Sequence, residues 1–157
     1  EQWRPDYIVG ITRGGNIPAT IISHMLDVRC ESLKIALRDN AQCESNAWMS
    51  EDAFGYAEND SGKGRWNPDL CKKILVVDDI NDSGETLKWL MTDWQSSCFP
   101  ESTSVWQKVW NRTVRFATLV DNVDSPVEVN YTGTIIDKSA NPCWICFPWE
   151  TVGEYRG

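Results

Sequence analysis

Residues 73–87 read KILVVDDINDSGETL. Residues 74–77, with Ile80 beyond them, form an apolar run of the kind found in a strand covered on both faces. Asp78 and Asp79 stand at its carboxyl end. Asp82, Ser83, Gly84, Glu85 and Thr86 make a polar turn. Leu87, Leu90, Met91 and Trp94 then recur at i, i+3, i+4 and i+7, which marks a helix over about residues 83–95. A strand, a polar loop and a helix in that order can seat an anion. Successive backbone N–H groups, the Ser83 and Thr86 hydroxyls, close backbone approach at Gly84 and the positive helix end would all face it. The two carboxylates cannot face that anion themselves, because like charges repel. They suit sugar hydroxyls or Mg²⁺, which takes one or two carboxylates and completes its shell with phosphate oxygens. A simple Asp or Ser N-cap would account for a lone S-G-x-T, but not for the preceding Asp pair.

Outward from this stretch, strands and helices alternate. Residues 7–11 (YIVGI) read as a short apolar strand. TRGGN follows, and Pro18 opens a helix with Ile22, Met25 and Leu26 on one face. Residues 33–37 read as a second strand. Residues 38–72 are polar and Gly-containing without sustained period, which predicts a functional or partly disordered loop. Residues 105–110 suggest a further helix, residues 114–120 (VRFATLV) a fourth strand, and the tail short strands and turns. The pattern predicts an α/β fold: an open, mainly parallel twisted sheet with helices on both faces. In such sheets ligands bind beyond the carboxyl ends of strands, where TRGGN and DDINDSGET both lie. In the first of these loops Gly14 and Gly15 free the backbone to present N–H groups, and Arg13 adds a cation. That suits a diphosphate about as well as it suits a tight turn with a solvated Arg.

At 157 residues the chain reads as one domain, and its net charge of −8 opposes a general nucleic-acid or anionic-membrane surface. No apolar run approaches the ~18 residues of a membrane span, and no signal peptide is visible. Of the six cysteines only Cys143 and Cys146 have C-x-x-C spacing. There is no second pair, and the single histidine, His24, is distant in sequence. They read as reduced thiols of an intracellular protein rather than as zinc or redox ligands.

ILVVDDINDSGETL closely resembles the signature of type I phosphoribosyltransferases: two acidic residues after an apolar strand, then a D-[ST]-G-x-T phosphate loop. YIVGITRGGNIPA resembles the diphosphate loop of the purine members. CWICFPWE is similar to the C-terminal W-I-x-x-P-W segment of xanthine-guanine (6-oxopurine) phosphoribosyltransferases. The resemblance implies Mg²⁺-dependent transfer of a 5-phosphoribosyl group from 5-phosphoribosyl-1-diphosphate (PRPP) to a 6-oxopurine such as xanthine, guanine or hypoxanthine, in purine salvage. It implies that Asp78 and Asp79 hold the ribose hydroxyls, with Asp79 reaching Mg²⁺. Ser83, Gly84, Glu85 and Thr86 would bind the 5′-phosphate, Glu85 through its backbone. Asp82 would be the general base. Thr12, Arg13, Gly14 and Gly15 would bind diphosphate, with a cis peptide expected at Thr12–Arg13. Trp144 would stack on the base, the Ile145 backbone would read its edge, and Trp149 would pack. The resemblance further implies a single domain over residues 1–157, a mobile loop over about 39–72 in which Lys63 and Arg65 read as a solvated basic turn, and a small C-terminal hood over about 122–150. A homodimer, a cytoplasmic location and a preceding N-terminal segment are also expected from it.

One departure stands out. Purine members place a Lys just past the fourth strand, to donate to the 6-oxo group; FATLVDN puts Asp121 and Asn122 there. Lys138 would substitute only if the tail folds back over the site. Two other readings compete: a regulatory domain that binds PRPP or nucleotide without transferase activity, and a receiver-like signalling domain whose acidic pair binds Mg²⁺. The first gains from Asn122 and loses from the retained Asp82. The second leaves TRGG unexplained.

Overall fold

The computed structural model describes residues 2–37, 47–58, 64–98 and 103–150. Five strands make one sheet: β1 (Tyr7–Thr12), β2 (Arg29–Lys34), β5 (Ile74–Asn81), β6 (Val114–Asn122) and β7 (Tyr131–Ile136). Their order is β2-β1-β5-β6-β7, and every pairing is parallel. The chain leaves β1 toward β2 and returns on the other side of β1 to form β5. The crevice at that reversal, above the carboxyl ends of β1 and β5, is where such a sheet binds ligands.

Alternation along the strands sorts the core. Tyr7, Val9, Ile11, Ile74, Val76, Val114 and Phe116 are buried on one face. There they meet Met49, Ala53 and Phe54 of α2 (Ala47–Phe54) and Leu87, Leu90 and Trp94 of α3 (Glu85–Ser97). Ile8, Leu75, Val77 and Ala117 point to the other face and meet Ala19 of α1 (Asn16–Leu26). Trp106, within a 3₁₀ turn at Thr103–Lys108, and Trp110 just beyond it stack with centroids 5.3 Å apart. They continue the larger layer to Trp94 and Phe116.

Three details differ from the sequence reading. In α1 the buried residues are Pro18, Ala19 and Ser23, while Met25 is 79% exposed. Gly10 lets the helix approach so closely that an added Cβ would lie 2.9 Å from Ala19 Cβ, and this turns the small residues inward and Met25 outward. The second strand is Arg29–Lys34 rather than 33–37, because an edge strand pairs on one side only and needs little apolar pattern. The third difference lies in 38–72, read as loop. That span contains α2, a short antiparallel pair of β3 (Tyr56–Glu58) and β4 (Gly64–Trp66), and a 3₁₀ turn at Pro68–Leu70. Its residues 38–46 and 59–63, Lys63 among them, lie outside the described residues.

Helix α2 escaped the reading because its eight residues carry only a short apolar stripe. Tertiary contacts hold it instead. Tyr7 Oη donates to Asp52 Oδ2 at 3.0 Å, Lys72 Nζ lies 3.4 Å from Asp52 Oδ1, and Ser50 Oγ donates to the Trp94 carbonyl at 2.5 Å. Phe54 is fully buried against Trp106. Phe54→Ala is therefore expected to cost about 3–5 kcal/mol of unfolding free energy, the range for a deleted core aromatic. Urea denaturation would check this; a loss below about 1 kcal/mol would mean that α2 is not part of the core.

Candidate active site

The β1 and β5 loops meet with almost no space between them. An added Cβ at Gly14 would lie 2.0 Å from Asp79 Oδ2, and one at Gly15 would lie 2.3 Å from the Val77 carbonyl oxygen. The Thr12–Arg13 peptide is cis. Asn16 ties the loop down: its Nδ2 donates to Thr12 Oγ1 at 3.3 Å and its backbone N–H to the Arg13 carbonyl at 3.1 Å. Thr12, Arg13 and Gly14 open onto a cavity of about 470 Å³. Gly15 does not: it is buried, and its N–H donates to the Ile11 carbonyl at 2.9 Å. Of the four residues expected to bind diphosphate, Gly15 instead lets the loop lie against β5.

The same cavity is lined by Asp78, Asp79, Asp82, Ser83, Gly84, Glu85 and Thr86. Arg13 and Thr86 thus face one cleft, with the Asp pair between them. Gly84 has φ +82°, a left-handed conformation that glycine adopts without strain, and it precedes α3 with no side chain capping the helix. The first-turn N–H groups of α3, which have no intrahelical acceptors, therefore point toward the cleft. Ser83 is exposed, with Oγ 3.4 Å from the Glu85 N–H.

Asp78 is buried, and Asp79 is its neighbour. Burial, followed by the Asp79 charge, holds the Asp78 carboxyl well above the usual carboxylate range. Each carboxylate accepts the next backbone N–H: Asp79 N–H to Asp78 Oδ1 and Ile80 N–H to Asp79 Oδ1, both at 2.8 Å. Both residues line the cavity.

At the far wall stand Trp144, Ile145 and Phe147. Trp144 is 70% exposed, while Phe147 is buried and stacks on Trp149 at 4.9 Å. Cys143 and Cys146 flank this wall and are exposed. Among the described residues no group of three or more His, Cys, Asp or Glu could hold a metal by itself.

Sequence reasoning left Lys138 open, and the structure decides its place. β7 pairs in parallel with β6, Asn122 opposite Ile136, so the chain leaves β7 at the rim where the site lies. Two residues later Lys138 Nζ sits 2.6 Å from Asp82 Oδ2 and 5.7 Å from the Trp144 ring centroid. Asn122, buried where the resemblance leads one to look for a Lys, donates from Nδ2 to Asp82 Oδ1 at 3.1 Å and accepts the Lys138 N–H at 3.3 Å. Phe147, although it stands within CWICFPWE, and the cavity-lining residues Ile35, Ala36 and Leu37 were not singled out from sequence. The last three stand in no motif that signals a ligand.

Residues 1–153 match the phosphoribosyl transferase domain family. This chain belongs to that family. Among relatives, it is 29% identical to the xanthine-guanine phosphoribosyltransferase of Cereibacter sphaeroides, over 98% of this chain and 72% of that one. It is 23% identical to xanthine phosphoribosyltransferase 1 of Saccharomyces cerevisiae, over 94% of this chain and 78% of that one. Among solved structures it superimposes on the Helicobacter pylori xanthine-guanine-hypoxanthine phosphoribosyltransferase with a TM-score of 0.58 at 20% identity, covering 96% of this chain and 78% of that one. The parallel five-stranded sheet is thus the type I phosphoribosyltransferase fold. Among the described residues no helix is long and apolar enough to cross a membrane.

The buried Asp pair of this phosphoribosyltransferase gives a pH-dependent expectation. A carboxyl whose folded-state pKa is raised above the unfolded value of about 3.9 costs stability as pH climbs from there through the folded value. Asp78→Asn removes that cost and can still accept the Asp79 N–H. The variant should melt above wild type at pH 8, converge with it near pH 4, and bind PRPP more weakly. Differential scanning calorimetry at both pH values tests this; equal or lower melting at pH 8 would refute it.

Proposed function

We propose that this phosphoribosyltransferase moves the 5-phosphoribosyl group of PRPP onto a ring nitrogen of a 6-oxopurine, releasing nucleoside monophosphate and diphosphate in purine salvage. The observation that carries the reading is the single cleft onto which the Arg13 and Thr86 loops both open, with two carboxylates between them. PRPP carries phosphate groups at both ends of its ribose, so two anion-binding turns at one rim match its length and charge. The relatives' names, all purine or xanthine-guanine transferases, agree with the base class.

In this reading the α3 N-terminus, Ser83, Gly84, the Glu85 backbone and Thr86 grip the 5′-phosphate. Asp78 and Asp79 accept hydrogen bonds from the ribose hydroxyls. Thr12, Arg13 and Gly14 hold the diphosphate, and Trp144 stacks on the base while the Ile145 backbone meets its edge. The bond from ribose C1 to the diphosphate oxygen breaks, and the diphosphate leaves with the bonding pair. The base nitrogen forms the new bond to C1, and its proton passes to Asp82. Such a reaction needs little covalent help; orientation, charge neutralisation and exclusion of water carry the catalysis.

Mg²⁺ fits this donor set. Asp78, Asp79, Asp82, Glu85 and Glu150 line the cavity against only Arg13 and Lys138 among the described residues, so a polyanionic substrate needs added positive charge to enter. Asp79, with phosphate oxygens of the substrate, would hold the ion, for which the described residues form no dedicated cage. When bound, it would neutralise the charge that develops on the diphosphate. A homodimer and a cytoplasmic setting belong to the same proposal and rest on the resemblance.

A second reading, a PRPP- or nucleotide-binding regulatory domain of the same fold, gains from one observation: both oxygens of Asp82 are engaged by side chains of the chain itself. Incubation with PRPP, Mg²⁺ and xanthine, guanine, hypoxanthine, adenine or uracil separates the two. Chromatography should reveal a purine nucleotide. PRPP binding without product from any base would favour the regulator. Asp82→Asn should lower kcat by roughly 10²–10⁴-fold if the carboxylate takes the proton, with PRPP affinity nearly unchanged. A parallel loss of affinity would make Asp82 a strut of the phosphate loop.

A further inference from the structure

We propose that Asn81 and Ser125 are positioning residues: together they hold the loop after β6 behind Gly84 and so fix the seat of the 5′-phosphate. The inference rests on the transferase reading above and deepens it, since neither residue is among Ser83 to Thr86, which take the phosphate in that reading.

Asn81 ends β5 and is buried, at 2% exposure. A buried side-chain amide is destabilising unless its hydrogen bonds are made. Here they are made, and all to one neighbourhood. Asn81 Nδ2 donates to Asp121 Oδ1 and to the Val127 carbonyl, both at 2.9 Å, and Oδ1 accepts from Ser125 Oγ at 3.0 Å. Two acceptors around Nδ2 leave the amide only one orientation. Asp121 is the residue paired with Asn81 across β5 and β6, while Ser125 and Val127 lie in the connection from β6 to β7. One side chain thus ties three points beyond its own strand.

Those points press on the back of the phosphate loop. A Cβ added at Gly84 would lie 2.7 Å from Ser125 Oγ, 3.0 Å from Val127 Cγ2 and 3.3 Å from Pro126 Cδ, so the loop after β6 packs directly on the left-handed glycine. Ser125 organises that loop as well as binding Asn81. Its Oγ accepts the Val127 N–H at 3.2 Å, and its own N–H donates to the Asn122 carbonyl at 3.0 Å. Asn122 in turn donates to Asp82 Oδ1 at 3.1 Å. Asn81 and Asp82, successive residues after the strand core of β5, are therefore each gripped by the end of β6 or the loop that follows it.

A phosphate loop of this kind needs support from behind. Gly84 allows its backbone more conformations than any other residue would, and no side chain caps α3. A loop that has to be ordered as the ligand arrives loses binding free energy to that ordering. Directional hydrogen bonds to Asn81 set where Val127 and Pro126 meet Gly84, and Gly84 sets the aim of the first N–H groups of α3. Such support acts on the phosphate end of a ligand. The Arg13 loop and the Trp144 wall are built from other parts of the chain, after β1 and after β7.

The test compares wild type with Ser125→Ala, Asn81→Asp and the exchanged pair Asn81→Asp with Asp121→Asn. Calorimetric titration with ribose 5-phosphate reads the phosphate seat without turnover. Ser125→Ala should weaken its binding by about fivefold, the scale of one lost hydrogen bond, while melting close to wild type. Asn81→Asp sets a second carboxylate against Asp121 and should weaken it further. Adding Asp121→Asn returns a donor to that contact and should recover part of the loss. Unchanged affinity in Ser125→Ala, or no recovery in the exchanged pair, overturns the inference. In turnover, Ser125→Ala should raise the KM for PRPP while kcat and the KM for the base stay within about twofold of wild type. An equal rise in both KM values would make the brace a general strut of the fold and overturns its positioning role. If wild type makes no nucleotide from any base, the transferase reading fails, and the ribose 5-phosphate titration still decides the brace. Wild type that does not bind ribose 5-phosphate overturns both.

Discussion

The contact between the β1 loop and the end of β5 is the constraint from which the site follows. There is no room at Gly14 for anything beyond a hydrogen before Asp79 is met, nor at Gly15 before the Val77 carbonyl. This closeness sets the β1 loop against the two carboxylates, at the point where the strand order reverses. Had β1 and β5 been separated by another strand, the anion-binding turns would face different parts of the rim and no single ligand could bridge them. The parallel pairing of β1 with β5, Tyr7 opposite Ile74 through Gly10 opposite Val77, is therefore as much a part of the site as Arg13 or Thr86.

That arrangement has an energetic consequence. Two adjacent carboxylates at the end of a covered strand repel each other, and burial of Asp78 adds a desolvation penalty to its charged form. Nothing in the packing of β5 requires them; Ile74 to Val77 already supply its core contacts. Stability lost in this way is a common cost of a functional site. The large aromatic layer of Phe54, Trp94, Trp106, Trp110 and Phe116 on the opposite side supplies the burial that lets the fold carry this local cost.

Much of this was legible in the sequence because short-range chemistry specifies it. The run ILVV reads as a covered strand, D-S-G-E-T suits a strand-to-helix turn, and Leu87, Leu90 and Trp94 keep helical spacing and are buried together. Helix α2 was missed because its stability comes from Tyr7, Trp94 and Lys72, all distant in sequence. Met25 was misassigned because a Gly at position 10, on another element, decides which side of α1 faces the sheet. Gly15 sits in a motif whose neighbours face the cavity, yet it serves packing, a distinction that depends on where Val77 lies. Each miss involves a partner beyond the range of a local pattern.

Lys138 is the extreme case of that limit, and it shows how a parallel sheet can replace a residue. In a parallel sheet every strand delivers its following loop to the same rim, so a cation for a given spot may come from the loop after β6 or the loop after β7. At the end of β6 this chain has Asn122, too short and neutral to reach across the cleft as a cation, but able to orient both Asp82 and the Lys138 backbone. The ammonium arrives sixteen positions later in the chain and meets the same carboxylate. The difference is not neutral, because an ammonium approaching from β7 reaches Trp144 and Asp82 together, whereas an Asn at position 122 holds Asp82 from the other oxygen. Lys138 and Asn122 thus hold Asp82 from its two oxygens, and the same Lys138 ammonium lies beside Trp144.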